Sequence, residues 1–96
     1  MFTLVDTANP AHDLVLVNRL WRPLMREIRR AGLVQGERAT AIGYHNLTAV
    51  SLGEAQAIYA HFSALLDRAE LPTDVDLDTA ERFSSFAGRS QGFEIT

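Results

Sequence analysis

Cysteine is missing from the 96-residue chain, and so is lysine: all nine basic residues are arginine. Without thiols there are no disulfide staples, no thiolate nucleophile and no cysteine-held zinc. Long apolar runs are missing too. The longest uncharged stretch, Ala39 to Gly53, is too short to cross a bilayer and is studded with polar residues. No segment near the start joins a basic stretch, an apolar core and a small-residue cleavage site, so a cytoplasmic location without membrane attachment is expected. Recognisable catalytic spacing is equally scarce. Ser51, Ser63, Ser84, Ser85 and Ser90 lack a nucleophile-elbow context, and His12, His45 and His61 stand far apart. Neither a His-x-x-x-His pair nor a two-His-carboxylate spacing occurs, so no metal or cofactor is expected. Asp74, Asp76 and Asp78 alternate as in a calcium loop but lack its central glycine and closing glutamate. The Gly88 to Gly92 stretch does not join a strand to a helix as a phosphate cradle would.

With 47% hydrophobic residues and a formal charge of -3, the chain has the composition of a folded protein, and residues 1–96 are expected to form a single domain. Charge is unevenly spread. Leu14 to Val50 carries a net of +4, while Ser51 to Thr96 carries -5. Such asymmetry bears on partners rather than on fold.

Phe2 to Val5 reads as a short strand. Asn9-Pro10 has the form of a helix start, a capping-competent residue before a proline. Val17, Leu20, Trp21, Leu24, Ile28 and Ala31 follow at helical spacing, and Gly32 suits a left-handed terminus. These signals predict a helix over Pro10 to Ala31. Pro23 lies inside it, on the side opposite the apolar stripe, either kinking one helix or separating two. Arg38 to Val50 alternates weakly and predicts two short strands turning at His45-Asn46. Ser51 and Glu54 make a capping box for a second long helix ending near Glu70. An acidic connector spans Pro72 to Asp78. A short helix capped by Asp78 or Thr79 and closed by Gly88 comes next, then a final strand over Phe93 to Thr96. The fold class expected is α+β: a two-layer domain whose antiparallel sheet follows a ferredoxin-like β-α-β-β-α-β order, with an extra short helix, packed by two long amphipathic helices.

One surface is distinctive. On a continuous helix, Arg19, Arg22, Arg26, Arg29 and Arg30 project within about 100° of one another, opposite the apolar stripe. Three uses are open to that face. It can be a solvated outer side, paired within the fold to Asp67, Glu70 or the Asp74 to Glu81 stretch. It can dock on an acidic surface of another protein or of a second copy, giving a homodimer. It can contact a nucleic-acid backbone, against which stand the acidic balance and the lack of a stacking platform on the expected hairpin strands, where Tyr44 is the one aromatic. A small acidic, non-enzymatic protein that binds another protein is the function expected. It would be of the accessory or inhibitor type, such as phages and mobile elements encode. Nucleic-acid binding or regulation through the arginines is the alternative. Asp67, Glu70, Asp74, Asp76, Asp78 and Glu81 form a secondary acidic surface. A ligand-binding or enzymatic domain would instead need a polar pocket near Tyr44, His45 or His61.

Overall fold

The computed structural model describes residues 1–42 and 48–96. Along them run β1 (Phe2–Asp6), β2 (Asp13–Leu16), α1 (Asn18–Arg30), α2 (Arg38–Ala41), β3 (Thr48–Val50), α3 (Leu52–Arg68), α4 (Leu77–Arg89) and β4 (Phe93–Ile95). The four strands pair antiparallel in the order β2-β1-β4-β3, so the first and last strands lie side by side in the centre. The class is α+β with an antiparallel sheet. The ferredoxin-like series is not the order seen among the described residues, because two strands precede the first helix.

That difference begins at Asn9-Pro10, which does not start a helix. Asp6 Oδ1 accepts the Ala8 amide (3.0 Å), Asn9 Oδ1 accepts the Ala11 amide (3.3 Å), and the Asp6 amide donates to the His12 carbonyl (3.0 Å). Local Asx turns therefore capture the backbone and reverse the chain. The next residues alternate, with Leu14 and Leu16 buried and Asp13 and Val15 exposed, as one face of a half-covered strand requires. α1 starts only at Asn18. Pro23 consequently falls in its second turn, and the helix runs through it unbroken in assignment. The proline is buried rather than solvent-facing, a second correction.

Arg38 to Ala41 is helical, not a strand. The expected turn at His45-Asn46, with Tyr44, lies outside the described residues, and β3 covers only the end of the expected hairpin. The capping box is present: Ser51 Oγ accepts the Glu54 amide (3.1 Å), and Glu54 Oε1 accepts the Ser51 amide (3.0 Å). α3 ends at Ala69, whose φ of 55° is left-handed. α4 is capped by Asp76, not by Asp78 or Thr79, because the Asp76 carboxylate takes the Thr79 amide. Gly88 does not close it but lies within it, where a Cβ would come 2.6 Å from the Tyr59 ring of α3.

One face of the sheet, carrying Phe2, Leu4, Leu14, Leu16, Val50, Phe93 and Ile95, is buried against helical residues that include Trp21, Leu24, Ile28, Ile58, Phe62, Phe83 and Phe86. Phe83 is the hub, with ring centroids 5.7 Å from Trp21, 5.5 Å from Phe62 and 6.3 Å from Phe93, all edge-to-face. Trp21 Nε1 donates to the Ile42 carbonyl (2.9 Å), so burying its indole leaves no donor unpaired.

Candidate functional site

The five α1 arginines do share an exposed side of one helix. The fold already engages three of them. Arg26 Nη2 lies 2.5 Å from Asp74 Oδ2, an exposed pair of modest worth. Arg29 Nε donates to the Ala39 carbonyl (2.5 Å) and so ties α2 to α1. Arg30 forks onto Glu27, Nε to Oε1 at 2.7 Å and Nη2 to Oε2 at 2.5 Å. Among the described residues Arg22 makes no hydrogen bond or ion pair. Arg19 makes none either, though its charge reaches Asp76. The basic and acidic halves of the chain thus meet where the connector runs beside α1.

The acidic residues divide similarly. Asp74 belongs to Arg26, and Asp76 caps α4, its Oδ2 taking the Thr79 amide (3.0 Å) and hydroxyl (2.7 Å). Those two Thr79 bonds, and more weakly the Arg19 charge, hold the Asp76 carboxyl below its usual range. Asp67 and Glu81 line a groove of about 740 Å³ between the end of α3, the connector and the start of α4. Its wall is mostly apolar, with Leu66, Leu71, Val75 and Leu77. Leu77 is 58% exposed, so its apolar surface is open to a partner. Glu70 and Asp78 are exposed near the two ends of the connector. The apolar half of this groove was not anticipated from sequence. Its signal was the set of apolar residues, Leu71 just before the acidic connector and Val75 and Leu77 within it.

Behind the arginine face lies a buried carboxylate. Glu27 is 3% exposed, and its Oε2 also sits 2.6 Å from His61 Nε2. The Arg30 fork pulls the Glu27 pKa down, burial pushes it up, and His61 lowers it further; the net direction is down. Glu54 serves α2 as well as its own helix, accepting from Arg38 Nη1 (2.5 Å) and Nη2 (2.6 Å). Burial raises its pKa, but Arg38 and the Ser51 and Gln35 amides outweigh that and bring it to about 2. At the far end of the sheet Asp6, 4% exposed, accepts from His12 Nδ1 (2.9 Å) and from the Ala8 and Gln91 amides. The His12 bond chiefly holds the Asp6 pKa below the carboxylate norm, against the upward push of burial.

Among the described residues no group of three or more His, Asp or Glu side chains is arranged to hold a metal ion. No described helix is long and apolar enough to cross a membrane. Comparison with protein-family models, curated proteins and solved structures finds no match to this chain.

Proposed function

We propose that the protein acts without catalysis, as an accessory or inhibitor module that binds another protein. Its partner would present a short cationic helix with apolar anchors. The observation carrying this reading is the groove of about 740 Å³, apolar along Leu66, Leu71, Val75 and Leu77 and acidic at Asp67 and Glu81. A helix laid in such a groove buries its apolar stripe, while flanking lysines or arginines meet the carboxylates. Opposite charge steers the encounter, and the apolar anchors supply most of the affinity. Glu70 and Asp78 extend the same negative field. Arg19 and Arg22 supply a second, cationic contact for an acidic part of the partner.

The arginines also leave nucleic-acid contact as the alternative. It is the weaker reading, because Arg26, Arg29 and Arg30 already have partners within the chain and the sequence pI is about 5.5.

The test uses a synthetic amphipathic Leu-Lys peptide of roughly 20 Å helical length, about 14 residues, with a Leu-Glu peptide as control. The protein should bind the first saturably and not the second. Leu77→Asp, and separately Asp67→Lys with Glu81→Lys, should each weaken binding about ten-fold or more. Equal affinity for both peptides, or variants that bind unchanged, would refute the groove. A concentration-dependent dimer dispersed by Arg22→Glu would make a second copy the partner and overturn the choice of another protein.

A further inference from the structure

A second cleft, of about 410 Å³, opens between the β2 edge and α4 on residues the protein-binding reading does not use apart from Glu81. We propose that it binds a small hydroxylated phosphomonoester of the sugar-phosphate type. The volume lies within the range of about 300 to 1,000 Å³ usual for small-molecule sites.

Three kinds of donor converge there. Arg82, Ser85 and Arg89 line the cleft from α4 at spacings of three and four, so two guanidinium groups and a hydroxyl share one helix face. His12 lines it from the strand side. The orientation of His12 is built in. Its Nδ1 is committed to Asp6, a nearly buried carboxylate that also takes two backbone amides. Its ring rests on Phe86 with centroids 4.7 Å apart, and Phe86 in turn packs on Phe93 at 5.4 Å. A carboxylate that holds Nδ1–H leaves Nε2 as the ring nitrogen open to a ligand. Nε2 is then a hydrogen-bonding partner for the phosphate group.

Asp13 and Glu81 line the same cleft, and they determine which anion fits. Neither forms an ion pair with Arg82 or Arg89 among the described residues; Arg89 Nε donates weakly to the Ser85 carbonyl (3.5 Å), which leaves its Nη groups and the Arg82 guanidinium for a ligand. A tetrahedral phosphate offers enough oxygens for two guanidinium forks, the hydroxyl and the imidazole together. The two carboxylates repel the extra charge of a polyphosphate, and they accept hydrogen bonds from the hydroxyl groups of a sugar. A single phosphate on a polyol satisfies both sets.

The test is an NMR titration of the intact protein with ribose 5-phosphate and inorganic phosphate, and with sodium chloride at matched ionic strength. The His12 imidazole nitrogens and the α4 amides should shift saturably with ribose 5-phosphate, while His61 stays still. Inorganic phosphate should bind about ten-fold more weakly. Arg82→Gln with Arg89→Gln, both exposed, should keep the helical circular dichroism and lose at least that much affinity. Shifts that never saturate, that chloride reproduces, or that survive in the double variant would overturn the proposal. Equal binding of inorganic phosphate would overturn the role given to Asp13 and Glu81.

Discussion

Replacing Glu27 by glutamine keeps the shape of the side chain and removes its charge. The native carboxylate is 3% exposed and receives three short contacts: two from Arg30, at 2.7 and 2.5 Å, and one from His61, at 2.6 Å. An amide in its place accepts at one oxygen only and turns an NH₂ toward groups that are themselves donors. Breaking a fully buried ion pair costs about 3–5 kcal/mol because a charge is left stranded. Here the Arg30 side chain is 68% exposed and can turn to water, so that full penalty does not apply. What remains is the loss of charged hydrogen bonds at a buried carboxylate, and about 2 kcal/mol is the expected destabilisation at pH 7. For a domain of this length that lowers Tm by roughly 8–16 °C. The sign with pH follows from the direction of the shift. The folded Glu27 pKa lies below the ordinary glutamate value of 4.5, so its stabilisation is fully present above that value and lost as pH falls through the folded pKa. Urea unfolding of wild type and Glu27→Gln, in steps from pH 7 to pH 2.5, should give curves that differ at neutrality and converge in acid. A difference under about 0.5 kcal/mol at pH 7, the usual scale of a neutral surface change, would refute the reasoning. So would a difference that does not shrink in acid.

Other substitutions read other parts of the fold. Ser51→Ala removes the hydroxyl that accepts the Glu54 amide and should cost about 1 kcal/mol by chemical unfolding. Glu54→Gln should flatten the loss of stability that wild type suffers as pH falls from about 4.5 toward about 2; an unchanged acid limb in urea titrations would contradict this. Phe83→Ala empties the aromatic hub and should destabilise by about 3–5 kcal/mol, with collapse of the near-ultraviolet circular dichroism. Gly92→Ala should lose about 2–3 kcal/mol, because φ there is +90° and a Cβ would stand 2.7 Å from the Val50 carbonyl oxygen. A thermal melt unchanged by that alanine would mean the turn relaxes without strain.

Glu81 lines both the groove and the second cleft. Substitutions at Glu81 therefore cannot separate the two proposals. Leu77→Asp touches only the first, and Arg82→Gln with Arg89→Gln only the second.

Much of the fold was legible wherever a signal is carried by neighbours along the chain. Ser51 and Glu54 form their capping box within one helical turn, and the apolar period through Ile58 and Phe62 requires α3 whatever packs on it. The outward side of α1 was readable for the same reason, since helical geometry places Arg19, Arg22, Arg26, Arg29 and Arg30 together. Pro10 misled because Asn-Pro suits a turn as well as a helix start. What tipped the balance was Asp6, whose side chain is ordered by partners as distant as Gln91. Which charges find each other is likewise a long-range matter. Arg26 meets Asp74 and Glu27 meets His61 across 48 and 34 residues of chain, because packing brings the connector and α3 beside α1. Spacing along the sequence determined the helix faces and the Ser51-Glu54 capping box. Pairing of the first and last strands, and the clefts left between edge strand, connector and helices, came only from burying those faces on one another, for periodicity gives a face its direction but not its neighbour.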